Sequence, residues 1–144
     1  YRSEWNDVID ITLQESAIVE IIPTVEYYES TRELKVDIKS KFYAKLSDTY
    51  ALTICIVEDN IVGKQFSANG IVLSYLHRYV FRGTINGIWG EELNTTTIFP
   101  EGVFEKSYVT TLSENFNSDQ CYIVAFVSNA ETKEILQVTE LKIK

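Results

Sequence analysis

Apolar and polar residues alternate strictly along residues 34–46. One set of alternate positions is apolar or small, namely Leu34, Val36, Ile38, Ser40, Phe42, Ala44 and Leu46. The other set is mainly charged, namely Lys35, Asp37, Lys39, Lys41, Tyr43 and Lys45. A period of two sends successive side chains to opposite faces of a β-strand. The pattern therefore predicts a strand of an antiparallel sheet with one face in the core and the other in water.

Further segments have the same strand-like composition and are separated by short polar turns. They are residues 18–28, in which Pro23 marks an edge strand or a bulge, and residues 50–57, 103–112, 121–127 and 135–143. Residues 50–57 and 121–127 are apolar on both faces, which predicts central strands. The whole pattern predicts an all-β fold, an immunoglobulin-like antiparallel β-sandwich of about seven to nine strands.

Two segments, residues 59–79 and 82–102, lack this regular strand pattern. Both are predicted as long loops. Long irregular segments in a compact β domain commonly carry function or move. Residues 1–14 are predicted to be a linker or an extra edge strand that follows an absent N-terminal region, and residues 15–144 to be the sandwich domain. Since the chain has no initiator Met and no leader-like start, we expect it to be part of a longer precursor.

The charge of the chain limits the classes of partner that it is expected to bind. The formal net charge is −8 and no basic stripe offsets it, so the chain repels phosphate backbones and nucleic acid is not an expected partner. No apolar stretch reaches the ~18 residues that a membrane-spanning helix needs. We therefore expect contact with a membrane only through an anchor outside this chain.

Residues suited to catalysis are few. The chain has one histidine, His77, and two cysteines, Cys55 and Cys121, without a CxxC motif. It also has no nucleophile elbow and no Gly-rich phosphate loop. These features predict a protein that is not an enzyme and that uses no metal and no cofactor. Each cysteine lies in an apolar strand pattern, so the two are either buried thiols or a disulfide between adjacent strands.

One cluster of polar and aromatic residues stands out in the irregular segments. His77, Tyr79 and Arg82 lie within six residues, and Gln65 and Trp89 flank them. One hypothesis is that these five residues form a binding patch. The alternative is that they clamp the loops, with Arg82 paired to a carboxylate such as Glu58 or Asp59.

The same region resembles a known family. The signal lies in residues 74–83 (Ser-Tyr-Leu-His-Arg-Tyr-Val-Phe-Arg-Gly) and 87–91, in the acidic strand end at 57–62 with Gln65, and in the closing hairpin at 122–127 and 132–137. It is similar to the C-terminal domain of the "outer membrane protein twenty-eight" (Omp28-related) family of Bacteroidetes envelope lipoproteins, over residues 15–144. The chain departs from that pattern at Tyr79, where a second histidine is common, and at Lys64, where proline is expected.

The resemblance implies a lipid-anchored, extracytoplasmic protein at the outer membrane, with a β-sandwich module that often follows a thioredoxin-like region. Three functions are compatible with it. The first is a non-catalytic module for protein or surface interaction. The second is a carbohydrate-binding module, which requires an exposed platform formed by at least two of Tyr27, Tyr43, Tyr75, Tyr79 and Trp89. The third is an accessory to the upstream redox domain, which requires an accessible cysteine with a lowered thiol pKa.

Overall fold

A computed structural model of the chain describes residues 4–144. These residues form one helix, α1 (Trp5–Thr12), and ten strands. The strands are β1 (Val19–Tyr28), β2 (Glu33–Phe42), β3 (Tyr50–Glu58), β4 (Ile61–Ser67), β5 (Gly70–His77), β6 (Val80–Thr84), β7 (Glu91–Glu92), β8 (Val103–Thr111), β9 (Cys121–Asn129) and β10 (Ile135–Lys142). A 3-10 turn, Ser118–Gln120, precedes β9.

Two antiparallel sheets form the sandwich. One has the order β1-β2-β8, and the other has the order β10-β9-β3-β6, with β7 pairing to β3 beyond β6. The predicted all-β sandwich is confirmed, although it has ten strands instead of seven to nine. β3 and β9 are central, as their apolar runs predicted. Pro23 lies on β1 at the edge of its sheet, where its missing N–H costs no ladder hydrogen bond.

The core lies between the two sheets and contains the predicted inward face of β2. Leu34, Val36, Ile38 and Phe42 are buried, together with Leu52, Ile54 and Ile56 of β3 and Ile123, Ala125 and Val127 of β9. Burying one such large aliphatic side chain stabilises the fold by roughly 1.5–3 kcal/mol. The alternation runs on to Leu46, but β2 ends at Phe42 and Leu46 pairs only with Ile98.

The strand register decides the state of the two cysteines. Cys55 lies opposite Val124, and Cys121 lies opposite Glu58. Because directly opposite residues share a face and successive residues alternate, Cys55 and Cys121 lie on opposite faces of the sheet. Both are free thiols. The alternative of a disulfide between adjacent strands was wrong.

Two stretches differ from their predicted form. Residues 59–79, predicted as a long loop, contain the hairpin of β4 and β5, joined by a two-residue turn. Residues 8–13, considered as an extra edge strand, lie instead in and just after α1, whose apolar side chains recur at helical spacing. That residues 1–14 are a linker and that the domain begins at residue 15 stay predictions, and residues 1–3 lie outside the described residues.

The second irregular segment, residues 82–102, includes the end of β6 and the short strand β7 and is otherwise without regular structure. Within residues 4–144, no helix has the length and apolar character needed to cross a membrane.

Candidate functional site

Two consecutive carboxylates lie buried where β3 ends. Glu58 is the last residue of β3 and is 6% exposed, and Asp59 follows it and is 4% exposed. A buried carboxylate without a partner would cost several kcal/mol, so each of these requires a cation or hydrogen-bond donors. The structure supplies one arginine to each.

Asp59 ties together the two ends of the β4–β5 hairpin. It lies two residues before the start of β4, whereas Arg78 and Tyr79 are the first two residues after β5. Its Oδ1 accepts a hydrogen bond from Arg78 Nε at 2.5 Å and another from the Tyr79 N–H at 3.2 Å. The bond from Arg78 lowers the pKa of the Asp59 carboxyl below its ordinary value of 3.8. Sequence analysis did not identify Arg78 as a site residue.

The chain bends sharply at both ends of the hairpin. Asn60 has φ +59° and Tyr79 has φ +48°, although neither is glycine. The left-handed conformation costs an L-residue roughly 1–2 kcal/mol, and asparagine tolerates it best. Asn60 also donates a hydrogen bond from Nδ2 to Gln120 Oε1 at 2.6 Å. These corners are therefore held by side-chain contacts, and they set the direction in which the hairpin leaves the sandwich.

Arg82 pairs with the other carboxylate. The register of β6 against β3 shifts between Gly83 and Phe81, so Arg82 is the extra residue of a β-bulge. Its Nε lies 3.1 Å from Glu58 Oε2, and its guanidinium carbon lies 4.2 Å from the centre of the Phe116 ring. Glu58 Oε1 accepts a hydrogen bond from the Asn117 N–H at 2.9 Å. Of the two carboxylates proposed as partners of Arg82, Glu58 is the one that lies beside it. That Arg82 clamps the loops stays a prediction.

The hairpin presents an exposed apolar surface. By the register, Val62 lies opposite Leu76, and Phe66 lies opposite Ile71, so these four side chains share one face. We call it the apolar hairpin face. All four are exposed, Phe66 by 76% and Ile71 by 54%. Large apolar side chains grouped in this way on a surface mark a contact site for a protein or a membrane.

The five predicted site residues lie in four places. Gln65 and His77 share the hairpin face opposite the apolar one, and the His77 ring contacts the Tyr75 ring edge-on at 5.0 Å between centroids. Tyr79 forms the corner after β5 and contacts the ring of Tyr122 at 5.8 Å. Arg82 lies on β6 and pairs with Glu58. That these residues bind a ligand stays a prediction.

Trp89 is separate from that cluster and is 68% exposed. A Cβ on the neighbouring Gly90 (φ +73°) would lie 2.3 Å from the carbonyl oxygen of Leu52, so only glycine fits there. Leu52 precedes Glu58 by six residues, about 20 Å along an extended strand. The five residues therefore do not form a single patch.

The geometry bears differently on the two alternative functions. Four of the five rings named for a carbohydrate platform are exposed, Tyr43, Tyr75, Tyr79 and Trp89. No close ring–ring contact among the described residues joins any two of the five, and a glycan-stacking platform stays a prediction. Burial raises the pKa of the Cys121 thiol to about 11 and also raises that of Cys55. A redox accessory would need a lowered thiol pKa. In residues 4–144, no cluster of three His, Cys, Asp or Glu side chains could hold a metal ion.

The lowered pKa of Asp59 predicts a pH dependence of stability. A carboxyl whose pKa is lower in the folded state stabilises the fold above its unfolded pKa, and this contribution is lost as the pH falls through the folded pKa. We expect Asp59→Asn to be less stable than the wild type at pH 7, and the difference to shrink below about pH 4. Urea unfolding of both proteins between pH 7 and pH 2 measures it. A constant difference over this range would contradict the assignment.

Structural comparison identifies the fold. A domain of the outer membrane lipoprotein Omp28 from Porphyromonas gingivalis has a TM-score of 0.63 at 24% identity, covering 90% of this chain and 91% of that one. HBP35 of Porphyromonas gingivalis has a TM-score of 0.74 at 20% identity, covering 96% and 45%. Spo0M, a sporulation control protein from Bacillus subtilis, has a TM-score of 0.60 at 10% identity, covering 89% and 49%. This chain therefore spans less than half the length of the last two.

The family assignment is independent of these structures. No curated protein matches the chain. The family model described as "Outer membrane protein Omp28" matches residues 1–144, which is the entire sequence. The resemblance carried by the motif around His77 and Arg82 is thereby confirmed, and the chain belongs to the Omp28 family of outer membrane proteins, with an extracytoplasmic location in the cell envelope.

Proposed function

We propose that this chain is a non-catalytic interaction module of the cell envelope, and that it makes contact through the β4–β5 hairpin. The observation that carries this proposal is the apolar hairpin face. Its four large side chains point into solvent on an element held by Asp59 at both ends. Exposing such a surface costs solubility, and a purely structural hairpin has no need of it.

The chemistry of the buried groups supports a non-catalytic role. A general acid or base must be able to exchange a proton near neutral pH. Asp59 is held as a carboxylate by Arg78, and Glu58 is occupied by Arg82 and the Asn117 N–H. Raised thiol pKa values leave Cys55 and Cys121 protonated and weakly nucleophilic at neutral pH. The carboxylates and thiols that are best suited to catalysis in this chain thus stabilise the fold instead.

Binding to isolated envelopes tests the proposal. The 144-residue chain would be mixed with outer membranes of Porphyromonas gingivalis, and the bound fraction measured after sedimentation. We expect Phe66→Ser combined with Ile71→Ser to lower binding at least about fivefold, since two exposed apolar anchors are lost. Val109→Ser combined with Val138→Ser is the matched control, because these valines are similarly exposed on β8 and β10.

Both double variants should fold, since the substituted side chains are exposed, and each should melt within a few degrees of the wild type. Equal envelope binding by the hairpin variant and the valine control would refute the hairpin as the contact surface. A wild-type chain that does not bind envelopes would refute the module itself.

A further inference from the structure

Carboxylates are missing from one long part of the chain. The sequence has 21 Asp and Glu residues, yet none lies between Asn60 and Gly90. A uniform distribution would place between four and five there (31 of 144 residues, 21 carboxylates). This segment contains β4, β5 and β6, and the two carboxylates that directly precede it are buried and paired with its own arginines. The exposed hairpin is therefore free of negative charge on a protein of net charge −8.

The two faces of the hairpin differ in composition. Val62, Phe66, Ile71 and Leu76 lie on one face, with Lys64 between Val62 and Phe66, and the other face combines Gln65, Tyr75 and His77 with Ile61 and Val72. Lys64 is exposed on β4. A long lysine stem can lie along an apolar surface while its ammonium group stays in water. Tyr79 follows the hairpin at its base, half exposed. Tyrosines are enriched where a membrane meets water, because one end of the ring is apolar and the other is polar.

From these features we infer that the β4–β5 hairpin binds the interface of a phospholipid bilayer, with the apolar hairpin face toward the acyl chains. The inference rests on the proposed function, because it names the partner of the same surface. Carboxylates are disfavoured among acyl chains and beside anionic headgroups, which explains their exclusion from this segment. Binding to a protein would not require carboxylates to be absent, since the rims of protein interfaces are commonly polar and charged.

The backbone limits how deep the hairpin can enter. As a two-stranded sheet, it has unpaired N–H and C=O groups along its outer edges, and these cannot be satisfied in the hydrocarbon core. The hairpin therefore lies flat at the boundary between headgroups and acyl chains, about 5–10 Å deep. Gln65, Tyr75 and His77 then face the headgroups and water.

Protein-free vesicles separate lipid from protein as the partner. The 144-residue chain would be floated with vesicles of phosphatidylethanolamine and phosphatidylglycerol. We expect the wild type to bind, and Phe66→Ser combined with Ile71→Ser to lower the partition coefficient at least about tenfold, equivalent to 1.4 kcal/mol. Val109→Ser combined with Val138→Ser should leave it unchanged.

A depth measurement tests the orientation. In the variant Phe66→Trp, lipids brominated on their acyl chains should quench additional tryptophan fluorescence relative to the wild type, which has Trp5 and Trp89. In Val109→Trp, they should quench none of the added fluorescence.

Three outcomes would overturn the inference. The first is hairpin-dependent binding to envelopes without binding to vesicles, which would leave the proposed function standing and make the partner a protein. The second is vesicle binding that the hairpin variant does not reduce. The third is a hairpin-dependent dimer in analytical ultracentrifugation without vesicle binding, which would make the partner a second copy of the chain.

Discussion

Ile54→Asp is expected to unfold the domain. Ile54 is fully buried at the centre of β3, between β9 and the interrupted edge formed by β6 and β7. An aspartate there would place an unpaired charge in the core and remove a large apolar side chain, at a cost of several kcal/mol. Domains of this size have total stabilities of about 5–15 kcal/mol. Urea unfolding followed by circular dichroism is expected to show little or no folded baseline at 25 °C.

Val124→Asp is the matched control for Ile54→Asp. Both positions lie on central strands, and from the sequence alone both are predicted to be equally intolerant of charge. In the structure, Val124 lies on the outer face of β9 opposite Cys55 and is only half-buried. We therefore expect Val124→Asp to remain folded with a lower midpoint of unfolding. Near-native melting of Ile54→Asp would show that the core has been placed wrongly.

Arg82→Ala is expected to have the second largest effect. It leaves Glu58, with an 8% exposed side chain, without its cation, and it removes the guanidinium from the Phe116 ring. Removing one partner of a buried ion pair costs about 3 kcal/mol, because the remaining charge stays desolvated. We also expect faster proteolysis of the β4–β5 hairpin, since Glu58 precedes the residue that ties its ends. Urea unfolding and timed trypsin digestion measure the two effects.

Two variants distinguish the buried pair from a general loss of charge. Lys39→Ala breaks the exposed pair of Lys39 with Glu105 and should change the free energy of unfolding by less than about 1 kcal/mol. Adding Glu58→Gln to Arg82→Ala should restore part of the stability, since position 58 then carries no unpaired charge. If Arg82→Ala were as mild as Lys39→Ala, Arg82 would not hold this end of the sandwich.

The hairpin shows why part of the fold escaped prediction. Along β5 the residues show no regular alternation, because seven of its eight residues are exposed and burial does not sort its side chains. A local signal was present in Asn69-Gly70, a common hairpin-turn dipeptide, followed by the apolar run of residues 71–73. Helix α1 escaped for a related reason, since none of its side chains is buried.

The candidate site was predictable as chemistry but not as geometry. The sequence places Glu58 and Asp59 in one short stretch and Arg78 and Arg82 in another, which suggests pairing. Which arginine pairs with which carboxylate depends on the β-bulge at Arg82 and the corner at Tyr79. Trp89 illustrates the same limit, because its separation from the other four residues depends on where the loop after β6 crosses β3.

By itself, the sequence determined the layers of this protein. Alternation along β2 and apolar runs in β3 and β9 specify faces and central strands, because the hydrophobic effect acts on each strand through a period of two. Only the tertiary structure decided what happens between strands, namely the separation of Cys55 from Cys121 and the projection of the hairpin. These depend on register and on contacts between distant residues, which the local order of side chains does not contain.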